Sequence, residues 1–282
     1  MSELKEVGII GAGQMGAGIA QVCALSGFET ILWDASSEAM KRGREGIKKS
    51  LAKFVEKEKL TQNDADDTLK RLKNGDSLSQ FSECNLVIEA IIENFSIKEK
   101  LFSELDDILS PSAILASNTS SISITKLAAS TSRPEKFIGI HFMNPVPIMK
   151  LVELIRGLQT SDETYQCAVE LVEKLSKISV LGIDRPGFVV NRILCPMINE
   201  AIFLVAEGVA PENIDQAMKL GTNHPMGPLQ LADFVGLDTL LYILRIMQDE
   251  LGEDKYRPCP LLTKYVEAGW YGKKSGRGFY DY

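Results

Sequence analysis

His141 closes a short apolar run, Phe137-Ile138-Gly139-Ile140, and opens His141-Phe142-Met143-Asn144-Pro145-Val146-Pro147. An imidazole at the carboxyl end of a strand points to the side where an open parallel sheet binds ligands. It titrates in the range needed to take a hydroxyl proton while an alcohol loses hydride. A base of that kind needs an orienting partner. Glu153 is a lone carboxylate inside Leu151-Val152-Glu153-Leu154-Ile155, and a buried Glu is rare unless paired. The stretch Pro145–Pro147 can fold this run back beside His141. The second histidine of the chain, His224, lies in the turn-rich Asn223-His224-Pro225-Met226-Gly227-Pro228 and reads as structural. Ser117-Asn118-Thr119-Ser120-Ser121 places five small polar groups after the strand-like Ala113–Ala116. At that end of a sheet they serve as a helix cap or as a site, with Ser121 a candidate cap for a helix around 124–128.

A second constellation comes first in the chain. Val7-Gly8-Ile9-Ile10 feeds Gly11-Ala12-Gly13-Gln14-Met15-Gly16, and an apolar helix follows to Leu25. Strand, G-x-G-x-x-G turn and helix are the context of a dinucleotide fingerprint. Gly11 serves the tight turn, Gly13 lets backbone approach a pyrophosphate, and Gly16 lets helix and strand pack closely. The pyrophosphate would lie on the N–H groups of the helix N-terminus. Asp34 ends the next strand, Thr30–Trp33, and can accept hydrogen bonds from ribose hydroxyls. Its charge repels a 2′-phosphate, which favours NAD over NADP.

These residues need elements to hold them. Strand and helix signals alternate through the first 184 residues, which implies βαβ units around a parallel sheet. Between Asp34 and Leu86 comes something longer than a simple crossover. One helix, capped by Ser36 or Ser37 and buried along Met40, Ile47, Leu51 and Phe54, runs to about Lys59, and a second covers about 63–73. Residues 41–73 hold eleven Lys/Arg against six Asp/Glu, a local +5 in a chain of net charge −7. Charge runs are usually solvated faces, but this one also suits a phosphorylated ligand, with Ser50, Lys53 and Lys57 sharing a face.

After strand-like Leu86–Ala90, Glu93 lies just past a strand end, and further elements are expected at 97–109, 162–176 and 178–181. Gly182-Ile183-Asp184-Arg185-Pro186-Gly187 then reads as a linker. From residue 185 the pattern is all helical: Phe188–Glu207, then about 212–220, 228–234, 237–250 and 260–267. The first of these is apolar nearly all round, so it must be buried on most sides, which suggests a subunit interface. Asn191 is its polar exception. The last residues, 272–280, read as a tail laid over another surface. The expected fold is therefore α/β, a Rossmann-type doubly wound sheet with an inserted helical hairpin over 1–184, followed by an all-α domain over 185–282.

Composition sets the outer bounds. At 45% hydrophobic residues the chain is an ordinary globule, and no run of eighteen apolar residues offers a membrane span. The charged lead-in Met1–Glu6 lacks a signal-peptide layout. Five cysteines, without C-x-x-C spacing, point to a reducing cytoplasm and no metal site. The negative charge argues against nucleic acid as a partner.

Taken in order, Gly11–Gly16, Ala116-Ser117-Asn118-Thr119-Ser120-Ser121, His141-Phe142-Met143-Asn144-Pro145, Met149-Lys150-Leu151-Val152-Glu153, Pro186-Gly187-Phe188-Val189-Val190-Asn191-Arg192 and Pro225-Met226-Gly227-Pro228 resemble the motifs of the L-3-hydroxyacyl-CoA dehydrogenase family over the whole chain, its stand-alone bacterial members above all. The resemblance implies reversible, NAD-dependent oxidation of (S)-3-hydroxybutyryl-CoA, a short-chain thioester, to acetoacetyl-CoA. It implies His141 as acid/base and Glu153 as its orienting carboxylate, with Ser120 and Asn191 on the substrate's 3-oxygen. Asp34 and Glu93 would contact the adenosine side of NAD, Asn144 its nicotinamide side, and Lys98 and Lys274 would also meet the cofactor. Ser50 and Lys57 match CoA-binding positions, and a homodimer through the helical domain is implied. Two other functions share parts of this pattern: a 3-hydroxy-acid dehydrogenase acting on free acids, usually through a catalytic Lys, and a non-catalytic NAD-binding sensor.

Overall fold

The computed structural model describes residues 4–282; the first three residues of the lead-in Met1–Glu6 lie outside the described residues. Two compact units divide the chain between Asp184 and Arg185.

The first unit is built on one eight-stranded sheet. In chain order its elements are β1 (Glu6–Ile10), α1 (Gln14–Leu25), β2 (Glu29–Trp33), α2 (Ser37–Glu56), α3 (Gln62–Arg71), β3 (Leu72–Asn74), β4 (Leu86–Glu89), α4 (Phe95–Ile108), β5 (Ile114–Ser117), α5 (Ile124–Ala128), β6 (Phe137–Phe142), β7 (Leu151–Arg156), α6 (Asp162–Lys174) and β8 (Ile178–Ile183). The strand order is β3-β2-β1-β4-β5-β6-β7-β8. The first six strands are parallel, in the arrangement of a doubly wound nucleotide-binding sheet. Strand β7 then turns back antiparallel to β6, and β8 runs parallel to β7. Burial follows from this topology. Strands β4, β5 and β6 are buried at every position, because helices cover both faces of a parallel sheet.

The helical hairpin is present. Ser36 Oγ accepts from the Ala39 amide and starts α2. Thr61 and Asp64 form a reciprocal capping box that starts α3. Ile47, Leu51 and Ala65 bury the hairpin in the same core as Ile19, Val22 and Cys23 of α1. The charged side chains of α2 are thereby left exposed, except Arg44, which is half-buried and donates to the Leu72 carbonyl at 2.7 Å.

Three local expectations are corrected. The second hairpin helix ends at Arg71, and Leu72–Asn74 forms the edge strand β3. A three-residue edge strand is too short to show a pattern of period two. Strand β6 runs on through His141 and Phe142, so the histidine lies within the ladder rather than just past it. The N-cap of α5 is Ser123, whose Oγ accepts from Lys126 N, and not Ser121.

The second unit contains α7 (Val190–Ala206), α8 (Pro211–Thr222), α9 (Pro228–Val235), α10 (Leu237–Leu251) and α11 (Pro260–Glu267). Its core is formed by Ile198, Ile202, Leu229, Leu240, Leu244, Met247 and Leu262 among others. The tail, residues 272–282, lies over α9. Buried Asp233 accepts from the amides of Phe279 (3.0 Å) and Tyr280 (2.9 Å) and from the Tyr282 hydroxyl. Asp215 accepts from the Tyr280 hydroxyl and from two first-turn amides of α9. Among the described residues no helix is long and apolar enough to cross a membrane.

Candidate active site

At the carboxyl end of β1 the chain turns at Gly11 with φ of +104°, and a Cβ there would fall 2.5 Å from the Ala90 carbonyl oxygen. A Cβ on Gly16 would fall 1.7 Å from Gly11 O, so helix and turn touch backbone to backbone. Gly13 differs: nothing lies within 4 Å of its missing Cβ, and no side chain caps the N-terminus of α1. Open approach, uncapped amides and the positive end of the helix dipole suit a pyrophosphate. Asp34 accepts from Ala12 N (2.8 Å) and Ser36 N (2.8 Å), which fixes its carboxylate beside the turn. These residues fit a dinucleotide.

On the other side of β1, buried carboxylates gather the ends of β4 and β5. Glu89 is fully buried, where it accepts from the Ser117 hydroxyl (2.7 Å) and the Ile91 amide (2.7 Å) and pairs with Lys98. Lys98, itself 1% exposed, also reaches Glu93 Oε2 at 3.4 Å. Glu93 Oε1 accepts from Thr119 Oγ1 (2.5 Å), Ser120 N (2.9 Å), Ser121 Oγ (2.9 Å), Ser121 N (3.1 Å) and Ser120 Oγ (3.3 Å). Burial pushes the Glu93 carboxyl up, but the Lys98 ammonium and these donors outweigh it and hold it below its ordinary value. For Glu89 burial wins, and its carboxyl is raised despite Lys98. Removing one member of such a buried pair costs about 3–5 kcal/mol.

Asp34 and Glu93, both expected on the adenosine side of NAD, follow strands β2 and β4, which flank β1 on opposite sides, and Glu93 meets the Thr119–Ser121 loop. Spacing along the chain carries no strand order. Lys98, expected at the cofactor, has its ammonium enclosed by two carboxylates. Sequence reading also passed over Glu89. Its signal was like that of Glu153, a single acid in an otherwise apolar stretch, Leu86-Val87-Ile88-Glu89-Ala90.

His141 and Glu153 face each other across the antiparallel β6–β7 ladder. Side chains in direct register lie on one face of the sheet within contact range. His141 Nδ1 is 2.7 Å from Glu153 Oε2; the histidine is 7% exposed and the glutamate 0%. Donation of Nδ1–H to the carboxylate leaves the basic lone pair of the neutral ring on Nε2. Asn118 Oδ1 accepts from the amide of Phe142, which ties the polar loop after β5 to the histidine's own strand (2.9 Å).

A cleft of about 380 Å³ opens beside the glycine turn, lined by Gly13 and Gln14, by Arg42 and Ser50 of α2, and by Asn144 and Pro145. Gln14 Nε2 donates to Asn144 Oδ1 at 3.0 Å, which fixes that asparagine against the turn. Ser50 is half-buried in the cleft wall, and Lys57 lies exposed at the C-cap of α2. Arg42 is a lining residue that the sequence reading did not single out. Two expected residues belong to the second unit. Asn191 is half-buried in the first turn of α7, and Lys274 is exposed and paired with Asp238 at 2.7 Å. His224 lies in the connection between α8 and α9.

A doubly wound sheet with a glycine turn, followed by an all-helical unit, defines the class of two-unit nucleotide-dependent dehydrogenases. Residues 6–184 match the 3-hydroxyacyl-CoA dehydrogenase NAD binding domain, and residues 187–282 match the 3-hydroxyacyl-CoA dehydrogenase C-terminal domain. The chain belongs to the 3-hydroxyacyl-CoA dehydrogenase family. It is 59% identical over 277 residues to a probable 3-hydroxybutyryl-CoA dehydrogenase of Deinococcus radiodurans, covering 98% of this chain and 99% of the relative. It is 56% identical to the 3-hydroxybutyryl-CoA dehydrogenase of Bradyrhizobium diazoefficiens, covering 99% and 96%. The crystal structure of (S)-3-hydroxybutyryl-CoA dehydrogenase from Ralstonia eutropha superposes with a TM-score of 0.95 at 50% identity, covering 99% of each chain.

Proposed function

We propose that the chain catalyses the reversible NAD-dependent oxidation of (S)-3-hydroxybutyryl-CoA to acetoacetyl-CoA. The observation that carries the mechanism is the buried 2.7 Å contact between His141 Nδ1 and Glu153. In oxidation His141 takes the proton of the 3-hydroxyl on Nε2. Glu153 keeps the ring in that tautomer and stabilises the imidazolium electrostatically. When bound, NAD supplies the hydride acceptor for C3. Ser120 donates to the 3-oxygen, and Asn191 is proposed as a further ligand of the substrate. In reduction His141 returns the proton to the same oxygen. A positioned base of this kind contributes roughly 10²–10⁴-fold.

The cofactor is assigned to Gly11–Gly16 and Asp34, with Glu93 and Asn144 beside them. Lys274 keeps its assignment as a cofactor contact by resemblance. The CoA moiety is assigned to the outward face of α2, where Arg42, Ser50, Lys53 and Lys57 supply donors and positive charge. Two supports converge there: the excess charge of the hairpin and a cleft lined by Arg42 and Ser50. The five cysteines are all unpaired in the structure, and a cytoplasmic setting is proposed with them. A homodimer through the helical unit is proposed from the exposed apolar residues of α7, Ile193 at 69% exposure foremost.

Substrate class and cofactor are tested together by following NADH and NADPH oxidation with 3-ketoacyl-CoA esters of four to ten carbons, and NAD reduction with free 3-hydroxybutyrate. The expected outcome is the highest kcat/KM with acetoacetyl-CoA and NADH, with the free acid nearly inert. Equal use of free 3-hydroxybutyrate, or no turnover of any thioester, contradicts the proposal.

A further inference from the structure

Glu89, Lys98 and Ser117 take no part in the chemistry just described, yet all three are buried at the carboxyl end of the sheet. Two charges taken this far out of water stabilise a fold no better than apolar residues of the same volume. Their contacts supply a different reason for them. Lys98 bridges Glu89 to Glu93, and Ser117 ties Glu89 to the strand that leads into the Thr119–Ser121 loop. Glu93 turns one oxygen to Lys98 and the other to that loop. Five donors converge on Oε1, more than one carboxylate oxygen can align well. The threonine and serine hydroxyls at 2.5 and 2.9 Å and the two amides at 2.9 and 3.1 Å hold the loop's shape. The Ser120 hydroxyl, at 3.3 Å, is the loosest of the five and the readiest to turn to another oxygen.

We propose that Lys98 and Glu89 are positioning residues for this reaction: together they hold the Glu93 carboxylate, which gathers the 119–121 loop and presents the Ser120 hydroxyl to the substrate's 3-oxygen. Lys98 then acts on catalysis through Glu93 and Ser120 without touching the substrate. Glu89 acts one step further back, as the buried counter-charge that keeps the ammonium in place. The proposal rests on the reading of Ser120 given above.

The test is a double-mutant cycle on kcat for acetoacetyl-CoA reduction. Ser120→Ala and Glu93→Gln are each expected to lower kcat about ten- to a hundredfold, the scale of a misplaced catalytic contact. Combined, they should be no slower than Ser120→Ala alone within about twofold, because both remove one interaction. The paired variant Lys98→Met/Glu89→Gln removes the ammonium together with its buried partner, so no charge of that pair is stranded. It should show the same fall and the same lack of additivity with Ser120→Ala. Losses that multiply in the Ser120→Ala background overturn the proposal, as does wild-type kcat in the folded paired variant. A merely structural role would lower Tm and multiply with Ser120→Ala. If the paired variant does not fold, the Glu93 cycle decides alone. Normal turnover by Ser120→Ala refutes the reading of Ser120 itself and is recognisable before any double variant is made.

Discussion

Glu93 and Glu89 are neighbouring carboxylates that the protein pushes in opposite directions. Glu93 is held below its ordinary value of 4.5, so it contributes stability above about pH 4.5 that is lost as pH falls through its lower folded value. Glu89 is raised, so its favourable contribution is present below about pH 4.5 and is lost as pH rises through its higher folded value. Glu93→Gln removes only the first of these. Thermal melts between about pH 5 and about pH 3 should therefore lose less Tm in the variant than in the wild type. An acid limb as steep as that of the wild type counts against Glu93 being held as an ion. At this scale the sequence was informative where a residue was out of character with its neighbours. His141 beside an apolar run and Glu153 inside one could both be read in that way. The Lys98–Glu89 pair could not, because a lysine on an amphipathic helix looks solvated until its strand partner is known.

The elements were legible wherever their patterns were long. The helices of the second unit fall close to their expected limits, and α11 coincides at Pro260–Glu267. Short segments were less so: β3 has three residues, and the cap of α5 depended on which of several adjacent serines met the helix axis. Helix α7 shows a pattern whose meaning depends on what covers it. Cys195, Ile198, Ala201 and Ile202 are buried within the unit, while Ile193 is 69% exposed in the single chain. Substituting an exposed side chain changes the stability of the unit by about 0.5 kcal/mol or less, whereas a charge in an apolar interface is costly. If the proposed interface is right, the wild type should run as a dimer in sedimentation velocity, and Ile193→Glu should keep its fold and run as a monomer. A dimeric variant would place the proposed interface elsewhere.

Across the whole molecule, the order of motifs carried more than any one of them. A glycine turn alone is common. Followed by an acid at the end of β2, a polar loop after β5 and a histidine in β6, it becomes specific. What the order could not supply is the antiparallel return of β7, which sets Glu153 opposite His141 in the ladder. That return depends on tertiary packing and was visible only as a proline-containing stretch able to make it. The account turns on the proton handled by this pair. Its most direct test is His141→Asn, measured by kcat with acetoacetyl-CoA and NADH alongside the Kd for NADH. The account predicts a fall in kcat of about 10²–10⁴-fold with NADH binding unchanged. Turnover near the wild-type rate would contradict it.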